Sequence, residues 1–180
     1  MQFPTFVRPL GSGGAVAAMS AALLAGCTHY TEPPRGAQAA DPTIDFAVSP
    51  CFGFCPDFSI TLAPSGEGTY EGNRFVKTEG RATFTVTPQE YAAFRERLAP
   101  FRPEQSVRYD YEHCDGPVAT DHPSVSVRWT DAVGEARELD WYLGCRQPEL
   151  TENSDAIYQA WQELPAVAEL VGTDEERRPR

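Results

Sequence analysis

The sequence predicts an α+β fold: an antiparallel sheet of about five to six strands with two helices packed on one face, in the order ββββ-α-ββ-α. Three observations predict it. Apolar and polar residues alternate in several short runs, the period of a half-buried strand. Two longer segments place apolar residues three and four apart, the period of a helix. The links between successive strands are too short for parallel crossovers, so neighbours run antiparallel and one face stays solvated. The 180 residues, 41% hydrophobic and 23% charged, suit one domain.

The first strand is carried by Ile44, Phe46 and Val48, and the second by Phe58, Ile60 and Leu62. Pro64-Ser65-Gly66 turns the chain, and residues 68–76 return as a hairpin partner. Ala82, Phe84 and Val86 alternate in a further strand. Thr87-Pro88-Gln89-Glu90 then opens a helix. The Thr87 hydroxyl can accept from the amide three residues on, Pro88 suits the first helical position, and Glu90 completes a capping box. Tyr91, Phe94 and Leu98 share one face before Pro100 and Pro103 stop the helix. Residues 104–123 read as an irregular polar loop. Val125, Val127 and Trp129, then Leu139, Trp141 and Leu143, form a second hairpin around a turn at residues 131–134. Residues 151–164 predict the second helix, with Ile157, Trp161 and Leu164 inward; a short helical piece follows Pro165. Residues 173–180 are a charged tail expected to be disordered.

Ahead of this domain lie two segments of different character. Residues 11–26 are uncharged and rich in Ala, Gly and Leu, follow Arg8, and end in Leu24-Ala25-Gly26-Cys27. That ending resembles the lipobox of bacterial lipoprotein signal peptides. The resemblance implies removal of residues 1–26 and acylation of Cys27, an anchor held in the membrane by several fatty acyl chains. Thr28 stands where an Asp would signal inner-membrane retention, so the resemblance implies the outer membrane, facing the periplasm. Residues 28–42 have almost no large aliphatics and read as a flexible tether from Cys27 to a domain spanning residues 43–172.

Charge narrows the partners. The formal net charge is -11, with a single lysine at Lys77. An acidic surface repels nucleic acid, so no nucleic-acid partner is expected. The expected partners are the membrane, through the anchor, and an envelope protein. No cofactor is expected.

The densest chemistry is Cys51-Phe52-Gly53-Phe54-Cys55-Pro56. Export would place it in an oxidising compartment where thiols pair. Besides Cys27, the cysteines are Cys51, Cys55, Cys114 and Cys145, which allow three connectivities. Pairing Cys51 with Cys55 requires a turn that Gly53 permits, and Cys114 and Cys145 flank the second hairpin. In the chain-entropy view these loops contribute ~2 and ~3.7 kcal/mol respectively. Crossed pairing is the structural rival. The chemical rival is copper or thiol redox. The C-x-x-x-C-P spacing is similar to the copper site of Sco-type assembly proteins, and thiolates favour Cu(I), with His113 or His122 as a third ligand. In that family, however, the motif opens a helix, whereas the residues after Pro56 alternate as a strand. His113, Asp115, Asp121 and His122 admit a metal site or an acid–base pair. The favoured reading is a polar loop in which Asp121 caps a turn before Pro123 and the histidines face water, and no nucleophile motif or phosphate-cradling Gly loop stands out. Tyr70, Phe84, Trp129 and Trp141 are core residues on this reading; on the open sheet face they would form a partner-binding strip.

Taken together, the opening cysteine motif, Tyr70-Glu71-Gly72, Phe75-Val76, Gly80 and the later Thr120-Asp121-His122-Pro123-Ser124-Val125-Ser126-Val127 resemble an uncharacterised bacterial domain family. Some of its members share cysteines matching Cys114 and Cys145. The resemblance covers roughly residues 43–170 and implies a domain of unknown function, often secreted or lipid-anchored. The expected role is therefore a non-enzymatic envelope lipoprotein, a binding or structural module.

Overall fold

The computed structural model describes residues 41–177. Cys27, residues 1–40 and the end of the tail lie outside the described residues.

Seven strands form one sheet in the order β4-β3-β2-β1-β6-β7-β5. They are β1 (Thr43–Val48), β2 (Asp57–Leu62), β3 (Glu67–Arg74), β4 (Gly80–Thr85), β5 (Val107–Tyr109), β6 (Ser124–Thr130) and β7 (Ala136–Tyr142). The α+β class holds, but the sheet is mixed. β5 pairs with β7 in parallel, whereas every other neighbouring pair is antiparallel. Sequence reasoning missed β5 because three residues are too few to show alternation.

Strands β1 and β6 sit at the centre and obey the alternation strictly. Ile44, Phe46, Val48, Val125, Val127 and Trp129 are all buried, while the residues between them face the open side. That open side is polar across the sheet. The Thr61 hydroxyl donates to Asp45 at 2.6 Å, Arg81 meets Glu71 at 3.1 Å, and Arg108 meets Asp140 at 3.0 Å. Tyr70, Phe84, Trp129 and Trp141 all lie in the core. No aromatic strip of theirs faces the open side.

Helix α1 (Pro88–Leu98) has the predicted capping box at Thr87 and Glu90, and it buries Tyr91, Phe94 and Leu98. Phe94 meets Phe46 edge-on at 5.8 Å. The Tyr91 hydroxyl donates to the Pro42 carbonyl at 2.6 Å, which fixes the start of the domain against α1. The predicted helix over residues 151–164 is broken. It consists of a 3-10 turn (Thr151–Asn153), α2 (Ser154–Tyr158) and a second 3-10 turn (Ala160–Glu163). None of these pieces has a side-chain cap, and Gln159 leaves helical geometry. Ile157, Trp161 and Leu164 are nevertheless all buried, because tertiary packing decides where weak helices bend. Helix α3 (Pro165–Val171) docks on the β3–β4 turn, where the Lys77 and Thr78 amides donate to the Val171 and Leu170 carbonyls at 2.9 Å.

The tail also departs from expectation. Residues Asp174–Arg177 form a helical turn, α4. Thr173 and Glu176 repeat the capping-box spacing: the Thr173 amide donates to the Glu176 carboxylate at 2.9 Å. Lys77 reaches both Glu169 and Glu176 and ties this turn to α3.

Candidate functional site

The register places the ends of six strands together. β1 leaves at Val48, β2 begins at Asp57, and Val48 pairs with both Phe58 and Val125. β3 ends at Arg74 opposite Asp57, and β7 ends at Tyr142 opposite Ser124. Tyr109, the last residue of β5, pairs with Trp141. All the remaining cysteines gather at this end of the sheet.

The first corner follows β1. The Ser49 amide donates to the Ser124 carbonyl at 2.9 Å, which holds the chain as it leaves the strand. The chain then curls so that the Cα atoms of Cys51 and Cys55 stand 5.6 Å apart with their sulfurs at bonding distance. Gly53 allows the curl: its φ of +153° is one that side-chain-bearing residues rarely adopt. Pro56 closes the corner and β2 starts at once, so the cysteines precede a strand and not a helix N-terminus. Helix N-termini are a principal means of lowering a cysteine's pKa, and this pair has none.

Within the corner Phe52 is 88% exposed and Phe54 is 56% exposed. Phe54 meets Phe75 edge-on at 5.4 Å, and the Arg74 guanidinium sits 5.5 Å from the Phe75 ring centre. Phe75 holds a φ of 52°, an uncommon conformation for a bulky residue, in the β3–β4 turn.

The second corner lies beyond β7. Cys114 and Cys145 are likewise 5.6 Å apart at Cα with sulfurs at bonding distance, and Cys145 is fully buried. The loop beside them is knitted to the strand end. Val118 bridges Cys145, the Ala119 amide donates to the Gly144 carbonyl at 2.8 Å, and the Arg146 amide donates to the Pro117 carbonyl at 2.9 Å. The Trp141 indole donates to the Cys145 carbonyl at 3.1 Å.

The four polar residues of the intervening loop each take a different partner. The His113 amide donates to Asp110 at 3.0 Å, and its ring Nδ1 lies 2.8 Å from the same carboxylate. That hydrogen bond holds the Asp110 carboxyl below its usual range. Asp115 accepts from buried Gln147 at 2.9 Å. Asp121 accepts from the Thr120 hydroxyl at 3.1 Å and holds a φ of 71°. The His122 amide donates to the Tyr142 hydroxyl at 3.4 Å. Among the described residues, no three of the His, Cys, Asp and Glu side chains converge on one point.

Sequence reasoning missed a tyrosine pair here. Tyr111 and Tyr142 stack with ring centres 4.8 Å apart. The Tyr111 hydroxyl donates to that of Tyr142 at 2.9 Å, and Tyr142 donates on to the Ala119 carbonyl at 2.9 Å. The hydrogen bond to Tyr142 is the main cause that raises the Tyr111 pKa. Tyr111 lies 31 residues from its partner in a stretch without periodicity, so no local signal marks it.

Fold and corners together define a small α+β module whose two cysteine pairs brace one end of its sheet. Its family follows from comparison with known sequences. Residues 42–163 match the family described as Domain of unknown function (DUF6438), and the chain belongs to that family. No curated protein matches the chain. Helices α3 and α4 lie beyond the matched residues.

Proposed function

We propose that this chain is a lipid-anchored module of the bacterial envelope that acts by contact and not by catalysis. Cys27 is the acylated residue, residues 28–42 are the tether, and the domain faces the periplasm from the outer membrane. One observation carries the contact role: large apolar side chains crowd one end of the domain. Phe52, Phe54, Tyr111 and Val118 are exposed there, whereas among the described residues Val133 alone stands out at the opposite end, in the β6–β7 turn. Exposed apolar groups gathered in one patch mark interaction sites, and scattered ones do not. An oxidising periplasm suits both cysteine pairs and keeps the patch braced.

Metabolic labelling with a radioactive fatty acid tests the anchor. Label is expected on the wild-type chain and absent from Cys27→Ala; an unlabelled wild type overturns the reading. Density-gradient separation of membranes reads the location, and Thr28→Asp is expected to move the protein to the inner-membrane fraction. The copper and thiol-redox alternative is tested by Cu(I) titration under reducing conditions. Weak binding, indifferent to Cys51→Ser, is expected. Tight stoichiometric binding lost in Cys51→Ser and kept in Cys114→Ser replaces the contact reading with the copper one.

A further inference from the structure

The exposed apolar end has a definite chemical character. The Cys51–Cys55 corner is a tip and not a groove: its two phenylalanines point outward from a ring of five residues. Residues 47–56 contain no charged side chain, in a protein whose formal net charge is -11. Arg74 lies 5.5 Å from the centre of the Phe75 ring that Phe54 packs against, and 3.7 Å from Asp57. The aspartates at this end are engaged. Asp57 accepts from Asn73, Asp110 from His113, Asp115 from Gln147 and Asp121 from Thr120. At the same end of the sheet, on the far side of β6, stands the Tyr111–Tyr142 stack, with Tyr111 60% exposed. Tyrosine has an apolar body and a polar end, which suits the boundary between water and acyl chains.

We propose that this end of the domain docks onto the surface of a zwitterionic lipid bilayer, with Phe52 and Phe54 entering the boundary between headgroups and acyl chains. The inference rests on the anchored reading and deepens it, because the anchor supplies the bilayer. A convex tip of exposed rings without charge fits a deformable apolar layer, whereas a ligand of fixed shape needs a concavity. The bond between Cys51 and Cys55 restrains the backbone that carries the rings, so docking orders little of that backbone that is not already ordered. Strong net acidity excludes an anionic surface as the target and leaves a neutral one.

The tether permits the approach. The chain enters the domain at Pro42, at the other end of β1 from the tip. Six residues of strand span about 20 Å. The fifteen residues between Cys27 and Thr43 span at most about 50 Å. The tip therefore reaches the bilayer in which Cys27 is held.

Fluorescence quenching tests the docking. The full-length acylated chain is reconstituted in phosphatidylethanolamine–phosphatidylcholine vesicles whose acyl chains carry bromine, a contact quencher of tryptophan. Trp129, Trp141 and Trp161 are buried out of contact with bromine, so their emission is a constant background that is measured on the wild type and subtracted. Phe52→Trp places a reporter at the tip, and Val133→Trp places one at the opposite end. The tip reporter is expected to lose most of its emission in brominated vesicles and none in ordinary ones, while the reporter at the opposite end stays bright. In the Phe52→Trp chain, adding Phe54→Ser is expected to lower the docking equilibrium constant about tenfold, the effect of withdrawing one ring from an apolar phase, which takes a docked fraction of about nine-tenths to about one-half. An unquenched tip reporter overturns the docking, whether the opposite reporter is quenched or not. Fatty-acid label on the same preparation separates the two readings. A labelled chain with a bright tip reporter sinks the docking alone, and an unlabelled chain sinks the anchor and the docking together.

Discussion

The two cysteine pairs are predicted to stabilise the domain unequally, and the inequality follows from chain length. Cys51 and Cys55 are four positions apart, and Cys114 and Cys145 are thirty-one apart. Cross-linking restricts the unfolded chain in proportion to the logarithm of the loop it closes, so the short loop contributes about 2 kcal/mol and the long one about 3.7 kcal/mol. Packing adds to the difference. Cys145 is fully buried beside Trp141, whereas the ring held by Cys51 carries its phenylalanines into solvent. The test compares Cys51→Ser/Cys55→Ser with Cys114→Ser/Cys145→Ala by urea unfolding. With a slope near 2 kcal/mol per M, the midpoint is expected to fall by about 1 M in the first variant and about 2 M in the second. Peptide mapping of the wild type without reductant is expected to show each pair joined within itself. Equal losses, a reversed order, or peptides joining Cys51 or Cys55 to Cys114 or Cys145 would refute the reasoning.

Two further outcomes follow from buried groups. Burial pushes the Tyr70 and Tyr91 phenols up to about 12, from an ordinary value of 10.0. A folded pKa above the unfolded one means that the contribution is fully present below pH 10 and is lost as pH rises toward 12. Each tyrosine accounts for up to about 2.7 kcal/mol over that window. Urea midpoints measured from pH 9 to 12 should therefore fall steeply above 10, and less steeply in Tyr70→Phe. The second outcome concerns Gly68, over which the Phe84 ring lies. A Cβ at this position would sit 2.3 Å from the ring. Gly68→Val must displace the ring from the core and is expected to cost about 1–3 kcal/mol, read as a lower thermal midpoint.

The legible parts of the fold are those whose physics repeats along the chain. Alternation in β1 and β6 names the buried residues outright, since burial on one face forces a period of two. Thr87 and Glu90 fix the start of α1 because the cap is a local exchange of hydrogen bonds. The same exchange at Thr173 and Glu176 is equally visible, but it lies in a charged segment whose composition suggests a tail. β5 is not legible, since three residues cannot show a period and its partner strand lies far along the chain. The break near Gln159 is hidden for the opposite reason: Ile157, Trp161 and Leu164 keep helical spacing across it. Of the candidate site, the cysteine motif and the family are legible, because both are carried by contiguous residues. The Tyr111–Tyr142 stack is not, because it exists only once the sheet brings β7 beside the loop after β5.

The exposure of Phe52 and Phe54 needs a cause, since the same chain buries phenylalanine at 46, 58, 84, 94 and 101. Composition supplies none, for the core accepts aromatic rings throughout. The cause is the length of the corner. Val48 and Phe58 are the last inward residues on either side, paired across β1 and β2. Between Cys51 and Cys55 only three residues remain, and their ends are held 5.6 Å apart. A ring that small cannot fold two phenyl groups back onto the sheet, so one stands in water and the other leans on Phe75. The cysteine pair and the phenylalanines therefore act as one device, in which the bond keeps apolar groups from collapsing inward. This accounts for a bond at a site where the stabilisation it brings is modest. It also explains why the motif Cys51-Phe52-Gly53-Phe54-Cys55-Pro56 looks like an active site in sequence and is an exposed apolar corner in the fold.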